Sequence, residues 1–246
     1  DDDAEYFNDL KNKIASAFVA EFYDKENKTF GSQTADAMAL DFGLVPVGDE
    51  RAVSDAIARN MKEKYNNFMH TGIFGLGRIG QALSRFGNGK AAWDMFTKTG
   101  ENSFAYMWTD ADATSLWEVL PINKKSKEVC LTGSSLNHPM QGGYDTWFYE
   151  DIAGIRPDIS GPGFKVTSFL DWAKASIDTS YGKTESEWSQ ENDRLIWKIT
   201  LPPNTSGIVA LPDNKKIDVN KRVFDKDDYP LIENRGDVSF YRFPSG

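Results

Sequence analysis

Apolar residues in the first half of the chain recur at helical spacing. Tyr6, Leu10, Ile14, Ala17 and Phe18 form one stripe, which predicts a helix from about Ala4 to Tyr23. A polar turn, DKENKTFG, follows. Ser32 or Thr34 can cap the next helix, whose apolar set is Ala35, Met38, Ala39 and Phe42. Gly43 and Pro46 end it. Val53, Ile57 and Met61 predict a third helix from about Asp49 to Tyr65, and Ile79, Ala82 and Leu83 a fourth. Further helices are expected over Gly89–Thr99, Asp112–Leu120 and Gly143–Ala153. No heptad persists, so a coiled coil is not indicated.

Past residue 154 the period changes from helical to alternating. The stretch from Cys130 to Lys165 carries the change: a loop and a helix first, then a run rich in Gly and Pro. Ile155 to Pro162 is expected to be a tight irregular link. Phe164–Phe169 and Leu170–Ile177 read as strands. Thr184, Ser186 and Trp188 alternate toward one face, QEND reads as a hairpin turn, and Leu195, Trp197 and Ile199 continue the alternation. SGIVALP is another strand. Ile217 and Val219, a charged loop, and then Val238, Phe240 and Tyr241 close the chain. The expected class is α+β and multidomain: residues 1–154 helical, residues 155–246 an antiparallel sandwich of roughly eight strands.

Composition removes several functions. A formal charge of -9 argues against a nucleic-acid binder, which needs positive patches along the phosphates. No apolar run approaches the length of a membrane-spanning helix. Cys130 is the single cysteine, so an intrachain disulfide is excluded. The chain starts at DDDAEYF, ahead of which a leader could have been removed. With 16 Phe, 9 Tyr and 7 Trp the chain is aromatic enough to stack on ring-shaped ligands, although aromatics pack cores equally well.

The candidate chemistry is sparse. GLGRIG lacks both a preceding strand and a following Lys-Ser/Thr pair, so it reads as a helix start rather than a nucleotide loop. DKDD at Asp225–Asp228 lacks the central Gly and terminal Glu of a calcium loop and reads as a solvated turn. No nucleophile elbow and no HExxH are present, and neither metal nor cofactor is expected. Glu118, in ATSLWEVL, sits beside Trp117. It reads as an ordinary helix Glu or as a carboxylate tuned by an aromatic wall. His138, in a Pro- and Gly-containing loop, reads as a packing residue or as a ligand hydrogen-bonder. Asp110 and Asp112 either cap a helix or hold sugar hydroxyls. What remains open is carboxylate-based hydrolysis of a glycoside, which needs a pair of acids.

Several motifs, in order, resemble the C-terminal part of bacterial alpha-L-rhamnosidases of glycoside hydrolase family 78. They are KIASAFVAEFYDKENKTFGSQTA, TGIFGLGRIGQALSRFG, ATSLWEVL, SSLNHPMQGGYDTWFYEDIAGIRPD, PGFK, LDWAKASIDTSYGKTESEW and LPPNTSGIVALP. The resemblance covers nearly the whole chain. It implies part of an (α/α)6 barrel followed by a β-sandwich, and hydrolysis of terminal alpha-L-rhamnosides with inversion. It implies that Glu118 activates water, that His138 lies at the sugar pocket, and that Trp108, Trp117 and Trp147 wall the rhamnose. A periplasmic or extracellular bacterial location goes with it.

The chain departs from that pattern in one large way. The family's general acid is a Glu in a D-x-x-x-R-x-E-type stretch of the first half of the barrel, and no such stretch occurs here. The helices are also too few for a closed ring. The chain is therefore expected to be a fragment whose partner is the upstream half of the same polypeptide. The run Gly143-Tyr144-Asp145-Thr146 departs from the small residues and acid usual there, which leaves the exact sugar open. The competing expectation is a catalytically inactive carbohydrate-binding or structural module.

Overall fold

A computed structural model describes residues 2–158, 161–164, 169–192, 194–235 and 237–245. It divides into two compact units, residues 1–145 and 146–246.

The first unit is helical: α1 (Asp2–Phe22), α2 (Gln33–Asp41), α3 (Glu50–Glu63), α4 (Ile73–Arg85), α5 (Gly89–Thr97), the short α6 (Tyr106–Thr109) and α7 (Lys124–Gly133). A 3-10 turn, Pro139–Tyr144, follows, and the helical run then enters α8 (Asp145–Trp147). At the centre is α4, which packs against α2, α5 and the 3-10 turn. It buries Leu76, Ile79, Ala82 and Leu83, the apolar face that periodicity predicts. Val53, Ile57 and Met61 of α3 are buried in the same way.

The glycines of GLGRIG serve this packing. A Cβ on Gly75 would stand 2.8 Å from Thr34 Oγ1 and 3.0 Å from Thr34 Cα. A Cβ on Gly77 would meet the backbone of Gly143 at 3.3 Å. Bare backbone is thus required where α4 meets α2 and the 3-10 turn.

Of the expectations in this unit, one open choice is decided and two are corrected. Ser32, not Thr34, caps α2, by accepting a hydrogen bond from Ala35 N. The buried face of α2 is Ala37, Ala39 and Leu40 with Gln33 and Asp36, while Phe42 is exposed. Asp112–Leu120 is not a helix. Asp112 turns into the left-handed region (φ 57°), and the residues after it run extended beside the segment around Ser135 and His138. The helix in this region is instead α7, started by a capping box between Asn123 and Ser126.

In the second unit the helical run continues as a π-helix over Phe148–Ala153, which Gly154 ends at φ 81°. The strands are β1 (Ile155–Asp158), β2 (Gly161–Phe164), β3 (Trp172–Thr179), β4 (Gly182–Glu191), β5 (Arg194–Thr200), β6 (Ser206–Pro212), β7 (Asp218–Val219), β8 (Arg222–Val223), β9 (Leu231–Arg235) and β10 (Val238–Pro244). One sheet has the order β1-β2-β6-β10-β9 and another β3-β4-β5, and β7-β8 is a small ribbon. Ile155, Val209, Leu211 and Phe243 of the first sheet share a core with Ala175, Trp197 and Ile199 of the second. Thr184, Ser186 and Trp188 are all buried on one face of β4, as their alternation predicts.

The pairing is antiparallel with one exception, β2 beside β6, which is parallel. The expected irregular link is an antiparallel pair, with Ile155 opposite Phe164. Within the charged loop the structure places an edge strand, β9, whose residues are all exposed. Asp225 caps a 3-10 turn over Lys226–Asp228, where a solvated turn was expected. Of the expected strand Phe164–Phe169, residues 165–168 lie outside the described residues. Among the described residues no helix is long and apolar enough to cross a membrane.

Candidate active site

The candidate site is built where two extended segments of the first unit run side by side. Glu118 N donates to Ser135 O at 2.9 Å, and His138 N donates to Leu116 O at 2.8 Å. Ser115 Oγ donates to Leu136 O between them. A stretch that alternates in this way satisfies its backbone across the pair, not within a helix. That is why ATSLWEVL, with helical-looking spacing, is extended.

This pairing sets Glu118 across from Ser135 and His138 across from Leu116 on adjacent segments. The Glu118 carboxylate accepts a hydrogen bond from Ser135 N through Oε2, at 3.2 Å. Among the described residues nothing donates to its Oε1. One oxygen is therefore anchored to the backbone, and the other accepts no hydrogen bond from the described residues. His138 is half-buried, and its Nδ1 is buried with no hydrogen-bond partner among the described residues. The backbone at His138 is held on both sides, and Gln141 N donates to His138 O at 3.1 Å.

The other candidates fall into three places. Trp108 is 44% exposed and meets Phe104 edge-on at 4.9 Å, while Tyr144 meets the same Phe104 at 5.0 Å. Burial, and then the charge of Asp145, push the Tyr144 hydroxyl above the usual phenol range. Trp117 is buried beneath the extended segment, where its backbone N–H points at Met107 Sδ. Asp110 and Asp112 are exposed and both engage Lys127 of α7. Its Nζ lies 3.2 Å from Asp112 Oδ2 and 3.4 Å from Asp110 O. Trp147 falls in the second unit, where its ring meets Phe148 edge-on.

One residue of the site was not anticipated. Gln141 is 2% exposed, and its Nε2 donates to the Glu118 carbonyl at 2.7 Å. A buried Gln two residues past a Pro has no sequence signal of its own; only the fold reveals its partner. Among the described residues no group of three or more His, Cys, Asp or Glu is placed to hold a metal ion. The Cys130 thiol is buried against the Val119 carbonyl, and burial pushes it up, away from the thiolate a nucleophile needs.

Residues 1–152 match the family described as bacterial alpha-L-rhamnosidase 6 hairpin glycosidase domain. The chain belongs to the bacterial alpha-L-rhamnosidase family. Residues 138–223 match the C-terminal domain of the same bacterial alpha-L-rhamnosidases. An alpha-L-rhamnosidase of Formosa agariphila is 29% identical over 209 residues, which are 82% of this chain and 22% of that protein. One of Streptomyces avermitilis is 27% identical over 221 residues, 85% of this chain and 21% of that protein.

Among solved rhamnosidase structures, that from Dictyoglumus thermophilum superposes with a TM-score of 0.81 at 27% identity, over 100% of this chain and 28% of that one. The Streptomyces avermitilis enzyme, complexed with L-rhamnose, gives a TM-score of 0.78 at 22% identity, over 99% and 24%. It shares the fold of this chain. The helical region followed by antiparallel sheets is thus consistent with the six-hairpin and sandwich architecture of rhamnosidases. The chain spans about a quarter of the length of these relatives.

Proposed function

We propose that this chain is the C-terminal part of an inverting glycosidase of the family 78 kind, which releases terminal alpha-L-rhamnose. Its helices close an (α/α)6 barrel with helices that lie upstream in the same polypeptide, and its sheets form the sandwich that follows. Glu118 is the general base. It takes a proton from a water as that water attacks the anomeric carbon from the face opposite the leaving group. A general acid from the upstream half protonates the departing oxygen. His138 binds the sugar, the exposed Trp108 gives its methyl group an apolar wall while the buried Trp117 backs the extended segment, and Asp110 and Asp112 meet its hydroxyls. Such an enzyme would work in the periplasm or outside a bacterial cell.

The observation that carries this reading is the Glu118 carboxylate, anchored by one oxygen to the Ser135 amide and with no protein donor among the described residues on the other, on a segment paired with the one that carries His138. In the full-length protein Glu118→Gln should lower kcat by ~10²–10⁴-fold and leave rhamnose binding nearly unchanged. A near-normal kcat would remove Glu118 from the chemistry. The isolated 246-residue chain, which has no upstream acid, should not hydrolyse an aryl rhamnoside. Activity in a sample free of the longer form would place the acid within these residues, with Asp110 and Asp112 examined first.

A further inference from the structure

Resting on that reading of Glu118, we infer that Gln141 is a positioning residue for the general base. The extended segment that carries Glu118 is tied to its neighbour by backbone bonds at Leu116 O and at Glu118 N, and the Gln141 side chain adds a third restraint at the Glu118 carbonyl. A carbonyl oxygen only accepts, so the group facing it at 2.7 Å is the amide donor, Nε2. The other end of the same amide, Oε1, is buried without a hydrogen-bond partner among the described residues. An apolar side chain of the same size would avoid that desolvation cost. The residue is therefore poorly suited to the core and well suited to holding one particular carbonyl.

Its own seat is closely packed. Gln141 lies on the 3-10 turn that rests on α4 through the backbone contact of Gly143 with Gly77, and a Cβ on Gly143 would stand 3.2 Å from Gly77 Cα. The line of support runs from the central helix to the 3-10 turn, to the Gln141 amide, to the Glu118 backbone. Only the last of these bears the carboxylate. An inverting base must hold one water in line with the anomeric carbon, and a displacement of about 1 Å at such a group can cost ~10²-fold in rate.

The test is a double-mutant cycle in the full-length protein. Gln141→Met keeps the volume and removes the donor. It should lower kcat by ~10–100-fold with KM changed less than about threefold. In a Glu118→Gln background the same change should cost less than about twofold, because the group it positions no longer acts. An equal loss in both backgrounds would make Gln141 a structural residue only and overturn the inference. An unchanged kcat in folded Gln141→Met would overturn it too.

If Glu118→Gln alone leaves kcat intact, the general-base reading fails first, and that outcome is visible before the cycle is completed. Should Gln141→Met fail to fold, Gln141→Glu serves. Its neutral acid can donate to the Glu118 carbonyl and its ionised form cannot, so its kcat relative to the parent should fall as pH rises over about 5 to 9. A constant ratio would overturn the inference.

Discussion

Two helices of the same unit, α1 and α4, obey the same periodicity and meet opposite fates. The residues of α4 that recur at helical spacing are buried, with Ile79 and Leu83 fully covered. In α1 no residue is buried, and Tyr6, Phe7, Ile14 and Phe22 are each more than half exposed. Among the described residues, its C-terminal end is the part that is fastened. Phe18 stacks on Phe30 at 5.3 Å, and the hydroxyl of Tyr23, just past the helix, donates to Asp49, which also pairs with Lys28. A groove of about 620 Å³ lies between Ala15 and Val19 of α1 and Leu44 and Pro46 beyond α2, and no candidate site residue lines it. An apolar stripe establishes that a helix forms with a face to bury. It does not establish that the covering element is present in the same stretch of chain.

The largest effect that would sharpen this contrast is a truncation on each helix. Leu83→Ala in α4 should cost about 2–5 kcal/mol, whereas Ile14→Ala in α1 should stay within about 0.5 kcal/mol in the isolated chain. Denaturant unfolding of both reads the difference, and equal costs would mean that α1 is covered in solution. Next comes Gly75→Ala. Its new methyl would crowd the Thr34 backbone and should cost about 1–3 kcal/mol, against the gain that Ala normally brings inside a helix.

Association should follow from the bare stripe of α1. Light scattering of the isolated chain should show species larger than a monomer, which Phe7→Glu combined with Ile14→Lys should shrink. A clean, stable monomer of the parent would argue that the helices close on themselves.

The smallest effect is the pH response of the α1 fastening. The hydrogen bond from Lys28, and then that from Tyr23, hold the Asp49 carboxyl below the usual carboxylate range. The folded value is depressed, so the contribution is present above the ordinary value of ~3.9 and is lost as pH falls through the lowered one. Asp36 carries the opposite sign. Burial raises its value against the bonds from Phe30 and Thr29, so its contribution fades as pH rises through that raised value. Amide protection near Tyr23, corrected for the intrinsic exchange rate, should therefore drop in acid as Asp49 protonates, and Asp49→Asn should flatten that drop.

The same contrast shows what the sequence made legible. Most helices and strands followed from period, and the site motifs pointed to Glu118 and His138, whose segments the fold lays side by side through Ser135 and Leu116. The failures share a cause. ATSLWEVL has helical spacing, yet its partner is a segment some twenty residues away, beyond any local pattern. The edge strand β9 hides in a charged loop because an exposed edge has no apolar face to display. The start of α7 could have been read from Asn123 and Ser126, whose capping box is a local signal. Gln141 could not, because its partner exists only in three dimensions.

The π-helix at the head of the second unit bears on how this polypeptide can be dissected. Its last carbonyls are not left to solvent: Trp188 Nε1 donates to Ile152 O at 3.0 Å and Ser186 Oγ to Ala153 O at 2.6 Å. Both donors come from β4. A cut at Gly154, where helix gives way to strand, would therefore strand those carbonyls on one piece and bury two donors without acceptors on the other. A graft or deletion of the sheets should be made ahead of Thr146, so that the helical turns travel with the strand that finishes them.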